Sequence, residues 1–338
     1  MRLVLENEEI GQVQSLVKEL ADRYGSSEDP KFLEKVTVHA HELPRRLRQH
    51  LNSFRLHEPS SAICLVSGYP IDEEKIGATP KHWKLREGRS RVAEEEMALV
   101  LMGSLLGDCI SWATQQDGYM VHDILPIPGM EKEQLGSSSD ELLWWHTEDA
   151  FHEGRGDYLG MMCLRNIDKV PTTFLPMSEI EIDPKLMEKL FEPHYTIRPD
   201  ESHLKKNKSD VTAIDGTLES AYQNIENMLS NPNRIPVLFG DPKSPYIRID
   251  PYFMDPVEDS DAQEALNTLV REIDQKIADV VLEGGDFCFI DNFQGVHGRK
   301  PFRARYDGRD RWLKRINIAR DLRRSRSMRA AASDRVIM

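Results

Sequence analysis

"LLWWHTEDAF", residues 142–151, sets a histidine, a threonine and two carboxylates directly after a tryptophan pair. In an extended chain, side chains i and i+2 leave on the same side. His146 and Glu148 can therefore converge on one point while Thr147 turns away. Two ligands do not close a metal site, and His-x-Glu occurs by chance in many chains. What the stretch means depends on the rest of the sequence.

A third ligand of suitable type stands in "GDFCFIDNFQGVHGRK", residues 285–300. There an apolar strand from Phe287 to Ile290 runs into an Asp-Asn turn, and His297 follows. Two histidines and one carboxylate on one face of a metal leave three positions open. That suits non-haem Fe(II), which must admit a bidentate cosubstrate and O2. A zinc hydrolase can use the same three donors. Arg311, in "RYDGRDRWLKRINIAR" (305–320), separates the two. If the cosubstrate is 2-oxoglutarate, its 2-oxo acid end chelates iron and its far carboxylate needs a fixed cation. Arginine meets that need with a two-pronged hydrogen bond. Taken alone, Arg311 would read as a surface salt bridge; together with the triad it points to the oxygenase.

The chain has 338 residues, of which 39% are hydrophobic, enough for one large core or two modest ones. A net charge of -13 argues against general nucleic-acid binding, which needs basic surface. The cysteines, Cys64, Cys109, Cys163 and Cys288, are far apart and sit in apolar runs, so they read as reduced core residues. The opening "MRLVLENEEIGQ" has too short an apolar run for a signal segment, and no stretch approaches the roughly 20 apolar residues of a membrane span. The expectation is a cytoplasmic protein with no membrane or nucleic-acid partner.

Along the chain, apolar positions 10, 13, 16, 17 and 20 predict a helix over 6–24, closed by Gly25. "DPKFLEKVTVHAHELPRRLRQHLNSF" predicts further helix interrupted at Pro44, and "AEEEMALVLMGSLLGD" another. From residue 110 the texture changes to short apolar or alternating runs such as "YLGMMCLRN", "IPVLFG", "YIRID", "DFCFIDN" and "LKRINIAR". Many short strands with turn signals predict a β-sandwich or barrel with helices outside. The run "DAQEALNTLVREIDQKIADVVL" predicts one helix among them. No linker divides the chain. A single domain over 1–338 is expected, with a helical part at about 1–60, a strand-rich core at about 60–325 and a polar insertion at about 199–233. Within that insertion 217–229 reads as helix. The basic tail "RDLRRSRSMRAAASDR" reads as a solvated helix or arm, and Trp144 and Trp145 as packing residues.

The motifs "AHELPRRLR", "TPKHW", "LLGDCISWATQQDG", "WHTEDAF", "IRPDESHL", "FIDNFQGVHGR" and "RYDGRDRWLKRIN" span nearly the whole chain. Together they resemble the clavaminate synthase-like Fe(II)/2-oxoglutarate oxygenases, and among them the free L-arginine hydroxylases of the viomycin and streptolidine antibiotic pathways. The resemblance implies a mainly β fold, a double-stranded β-helix (jelly roll, cupin-like) with flanking helices. It implies His146, Glu148 and His297 as iron ligands, Arg311 on the distal carboxylate of 2-oxoglutarate and Thr173 near that cosubstrate. On the substrate side it implies Gln115, Glu148 and Gly136, with Arg315 at the α-carboxylate and Asp200 and Asp250 at the guanidinium. Asp250 is expected on a strand and Asp200 on a lid. Viomycin-pathway members carry a second aspartate where this chain has Tyr252; the streptolidine-pathway members share Asp-Pro-Tyr-Phe. The implied activity is hydroxylation of L-arginine at C3 and/or C4 with 2-oxoglutarate and O2, giving succinate and CO2. Another basic amino acid, a cyclic arginine derivative, a desaturation and a non-catalytic cupin-like binding protein stand as alternatives.

Overall fold

The computed structural model describes residues 1–85, 90–208 and 216–338. Three helices open the chain: α1 (Asn7–Tyr24), α2 (Pro30–Ala40) and α3 (Arg45–His57). The Glu6 and Glu9 carboxylates cap α1 reciprocally, and left-handed Gly25 (φ 78°) ends it. Asp29 caps α2 ahead of Pro30, and Pro44 separates α2 from α3 because its ring cannot continue a helix. The remaining helices are α4 (Glu73–Ile76), α5 (Ala93–Ser104), α6 (Pro184–Leu190), α7 (Gly216–Ser230) and α8 (Ser260–Lys276).

The strands are β1 (Arg2–Val4), β2 (Ile63–Ser67), β3 (Asp108–Trp112), β4 (His122–Ile124), β5 (Leu143–His146), β6 (Tyr158–Arg165) and β7 (Thr172–Pro176). After them come β8 (Leu238–Asp241), β9 (Ser244–Ile247), β10 (Ala278–Val280), β11 (Phe287–Asp291), β12 (Gly295–Arg299), β13 (Trp312–Ala319) and β14 (Val336–Ile337). One sheet runs β1-β2-β11-β6-β13-β3-β14, with β4 also on β13; a second runs β10-β7-β12-β5; β8 and β9 form a hairpin.

Inward residues of the large sheet (Leu159, Met161, Cys163, Cys288, Ile290, Leu313) share a core with Phe174 of the small sheet. The outer face of the large sheet is covered by α1, α2, α3 and α5, and that of the small sheet by α6 and α8. Alternation along β13 makes this division: Leu313 enters the inter-sheet core, while Lys314 turns out to meet Glu96 on α5. Helix α5 is buried nearly all round. It approaches β13 closely because Gly103 has no side chain there: a Cβ would stand 2.6 Å from Ile316.

Three readings differ from the sequence expectation. The chain is mixed α/β rather than mainly β, since α-helical residues outnumber strand residues among those described. The helix expected to reach residue 282 stops at Lys276, because the β-branched run that follows pairs as β10 with β7. The basic tail is solvated only in part: Arg323 and Arg326 are exposed, but Arg329 is buried and donates to backbone carbonyls of Leu322, Ala331 and Ala332, Arg335 reaches Asp108, and β14 joins β3. Arg329 is fixed by backbone carbonyls, while Arg320, Arg323 and Arg324 pair with Glu58, Asp321 and Asp157, and the sheet extends past residue 325. Of the 199–233 insertion, 201–203 and 205–207 form short 3-10 turns and 216–230 forms α7; residues 209–215 lie outside the described part. All four cysteines are free and buried, as expected. Among the described residues no helix is long and apolar enough to cross a membrane.

Candidate metal and cosubstrate site

Strands β5 and β12 are antiparallel neighbours in which His146 and His297 are direct partners. The close approach needs Gly298, whose Cβ would lie 2.6 Å from the Leu143 carbonyl oxygen. After β5 the chain passes through Thr147 into a turn that begins at Glu148. Thr147 exchanges hydrogen bonds with Ile249, and the Glu148 amide donates to Asn292 Oδ1 at 2.7 Å. Asn292 donates in return to the carbonyls of Glu148 and Gly156. Glu148 is thus turned back to the face that carries both histidines. Its Oε2 lies 3.7 Å from His146 Nε2 and 3.4 Å from His297 Nε2. One donor atom from each of the three residues lies within 4.8 Å of the others.

The donor set fits a divalent metal. The His146 Nδ1 lies 2.8 Å from the Trp144 carbonyl, which assigns the proton to Nδ1 and leaves the Nε2 lone pair facing the triad. With no cation between them, the groups perturb one another. Burial opposes the charged His146 imidazole, but the Glu148 hydrogen bond and the Asp250 charge raise it to about 9. Burial opposes the Glu148 carboxylate as well, yet Arg315 and the two histidines hold it well below the usual range. Burial lowers His297.

The triad opens into one cavity also lined by Gln115, Gly136, Asp200, Asp250, Tyr252, Arg311 and Arg315. The structure therefore brings together every residue expected at the site except Thr173. On β7, Thr173 stands opposite Gly298, on the face that turns away, and Thr172 lines the cavity instead. The alternation of a strand makes such a one-residue slip a change of face. Thr172 Oγ1 accepts from Arg311 at 3.1 Å. Arg311 is buried, its Nε has no partner, and among the described residues no carboxylate pairs with it. Burial depresses its pKa to about 10. A desolvated cation aimed into a cavity without an anion can receive a carboxylate.

At the opposite side Arg315 pairs with Glu148 through Oε1, the oxygen turned away from the histidines, and donates to Gln115 Oε1 at 3.1 Å. Asp250 is not on a strand: it ends the extended stretch after β9 and opens a 3-10 turn at Pro251. Burial, reinforced by nearby Asp200, raises its carboxyl to about 6. Tyr252 is half exposed at the cavity edge, and Trp144, read as packing, lines the cavity too, whereas Trp145 is buried and donates to Asp274.

Thr172, Asn292, Ser202 and Arg299 escaped the sequence reading. Arg299 is buried two residues past His297 and donates to Ser138 Oγ and the Ser139 carbonyl, which fastens the 138–141 loop to the cavity wall. Its signal was available in the same-face spacing of 297 and 299.

No family model matches the chain. The chain is 45% identical to enduracididine beta-hydroxylase of Streptomyces hygroscopicus, over 100% of this chain and 99% of that one. It is 44% identical to L-ornithine/L-arginine 3-hydroxylase of Catenulispora acidiphila, over 99% of both. Clavaminate synthase 2 of Streptomyces clavuligerus is more distant, at 29% over 86% of this chain and 84% of that one. A crystal structure of the non-heme iron oxygenase OrfP with Fe, succinate and (3S)-hydroxy-L-Arg superposes with a TM-score of 0.94 at 42% identity, covering 100% of both chains. With this likeness along its full length and a two-histidine, one-carboxylate triad at its centre, the chain belongs to the clavaminate synthase-like non-haem iron oxygenases.

Proposed function

We propose that this protein is an Fe(II)- and 2-oxoglutarate-dependent hydroxylase of free L-arginine, acting at C3 and/or C4. The observation that carries the reading is one cavity in which the triad, an unpaired buried arginine and two aspartates meet. OrfP has been crystallised with Fe and alpha-ketoglutaric acid, and with Fe and L-Arg, which supports the same assignment here.

His146, Glu148 and His297 hold the iron. Bound iron, with 2-oxoglutarate and O2, supplies the oxidation that yields succinate, CO2 and one oxygen atom for the C–H bond. The chain positions the reactants and excludes water. Arg311 and Thr172 hold the distal carboxylate of 2-oxoglutarate. Glu148 faces the metal with Oε2 and the substrate with Oε1, so arginine enters by exchange: its α-carboxylate takes Arg315 and its ammonium approaches Oε1. Gln115 and Gly136 shape the wall beside it, and Asp200 and Asp250 receive the guanidinium. The two facing sheets are read as the halves of a double-stranded β-helix, and the 199–233 insertion as a lid over the substrate. A second reading, a cyclic arginine derivative as substrate, is favoured by the enduracididine relative and by Tyr252 in place of another carboxylate.

The test is anaerobic reconstitution with Fe(II), 2-oxoglutarate and L-arginine, then O2, with succinate quantified and the product identified by NMR. Succinate no higher with arginine than without it refutes the reading.

A further inference from the structure

We propose that His203 is a positioning residue that fixes the substrate-facing turn 200–203 to the segment bearing the metal ligand Glu148. The inference rests on the arginine hydroxylase reading for its kinetic consequence, though not for its structural one.

His203 has no exposed surface and does not line the cavity, whereas Asp200 and Ser202, on the same short turn, do. Its ring is held at both nitrogens. Nδ1 lies 2.8 Å from Thr114 Oγ1, and Nε2 lies 3.2 Å from Asp149 Oδ1. The rings of Trp112 and Phe151 meet it edge-on, with centroids at 5.5 and 5.0 Å. Asp149, the neighbour of Glu148, is itself fixed: Oδ2 accepts from Trp112 Nε1 at 2.6 Å and from Asn317 Nδ2 at 3.1 Å, and its backbone is left-handed at φ 50°. Such a backbone persists only where its surroundings over-determine it.

The same turn has a second attachment. Asp200 Oδ1 accepts from the Ser202 amide at 2.8 Å, and Ser202 Oγ accepts from Gln115 Nε2 at 2.7 Å. Gln115 accepts from Arg315, and Arg315 pairs with Glu148. A closed circuit results: Glu148 to Arg315, Gln115, Ser202, His203, Asp149 and back along the chain to Glu148. Arginine binding interrupts its Arg315–Glu148 member. Asp149 lines the cavity but His203 does not, and on this proposal their bond persists, so it keeps Asp200 over the guanidinium while Arg315 changes partner.

A histidine that merely filled space could be replaced by phenylalanine, which keeps volume and ring contacts but loses both hydrogen bonds. His203→Phe, His203→Gln and Thr114→Val are compared with wild type, each loaded with Fe(II). His203→Phe is expected to raise the KM for L-arginine about tenfold or more, the loss of a buried hydrogen-bonded pair. The KM for 2-oxoglutarate and the iron stoichiometry stay within about twofold. Succinate then exceeds hydroxyarginine, because an unfixed turn lets cosubstrate oxidation run without the substrate reaction. His203→Gln, whose amide can still donate to Asp149, restores part of the coupling. Thr114→Val moves the same quantities less, and decides the matter if His203→Phe does not fold. Amide hydrogen exchange at 200–208 must quicken in the same variants, a readout independent of any substrate. Wild-type arginine KM, one succinate per hydroxyarginine and unchanged exchange in His203→Phe overturn the proposal, as do parallel losses of both ligands. If wild type itself shows no arginine-dependent succinate, the substrate reading fails, while the exchange measurement still judges the attachment.

Discussion

Replacing Arg311 should separate stability from function with opposite signs. The guanidinium is buried with one neutral partner, Thr172, so the ligand-free protein carries an uncompensated charge. At neutral pH the group is charged both folded and unfolded. Its depression from 12.5 to about 10 therefore acts in full there, as roughly 3 kcal/mol of destabilisation, and is relieved only as pH rises through that interval. Arg311→Met keeps most of the aliphatic volume and removes the charge, so the ligand-free variant should melt no lower than wild type. Binding should move the other way. The distal carboxylate of 2-oxoglutarate would enter the same buried place unpaired, at a cost of roughly 2–5 kcal/mol, a loss of about 30-fold to several-thousand-fold. Titration of 2-oxoglutarate and arginine against the Fe(II) protein, with calorimetric melting of the ligand-free form, measures both. Arginine affinity in the presence of saturating 2-oxoglutarate should change little. A lower melting point together with equal losses for the two ligands would falsify the reasoning and make Arg311 a structural residue.

His146→Ala or His297→Ala should abolish iron binding and turnover, since a facial triad has no spare protein ligand; near-normal iron content in either variant removes that histidine from the site. Asp250→Ala and Asp200→Ala should each raise the arginine KM with 2-oxoglutarate binding intact, and Asp200→Ala should also push succinate above hydroxyarginine; one-to-one stoichiometry with a normal KM excludes Asp200 as a contact. Burial holds the Asp250 carboxyl up at about 6, and guanidinium binding needs its ionised form, so arginine KM should fall as pH rises through about 6, a dependence that Asp250→Asn removes. In the free protein the sign reverses: a carboxyl raised from 3.8 contributes stability below that value and loses it as pH rises to about 6, which thermal melting of wild type against Asp250→Asn would detect.

The helices were legible because their signals are local. The Gly25 stop, the break at Pro44, the apolar period of α1 and the continuous apolar run of α5 need no tertiary information. The metal triad was legible because same-face spacing put His146 beside Glu148 and few histidines could join them. What failed was non-local. Apolar residues continue past α8 through 277–282, but Ile277, Val280 and Val281 are β-branched, and pairing with β7 took 278–280 into the sheet. Thr172 and Thr173 are equivalent in composition, and only the register against β12 tells which one faces the cavity. The His203–Asp149 contact joins residues 54 apart in the chain, and nothing in either neighbourhood announces it. The tail looked wholly solvated because arginine is usually exposed, and here Arg329 turns back on carbonyls of its own segment while Arg335 reaches Leu33 and Asp108 far away in the chain.

On the proposed assignment, the placement of the two cationic side chains accounts for how one cavity would hold two carboxylic acids without confusing them. Arg311 and Arg315 lie on the same face of the β13 segment with Leu313 between them, and Leu313 is sealed into the inter-sheet core. Four residues of strand set their Cα atoms about 13 Å apart. Arg311 stands one residue before β13; from Leu313 on the strand is paired with β4 and β6, after a register shift against β6 between Trp312 and Leu313, and Lys314 on its outer face pairs with Glu96 and Asp123. The surroundings of the two guanidinium groups then differ. Arg311 is buried beside a neutral hydroxyl, where a carboxylate meets no competitor. Arg315 is already engaged by Glu148 and Gln115, so a carboxylate gains there only if it also offers something to Glu148. An α-amino acid brings an ammonium with its carboxylate and meets both demands; 2-oxoglutarate has no cation to offer. Under the proposed function, the ion pair at Arg315 would therefore discriminate by charge pattern, and the lone cation at Arg311, just ahead of β13, by its isolation.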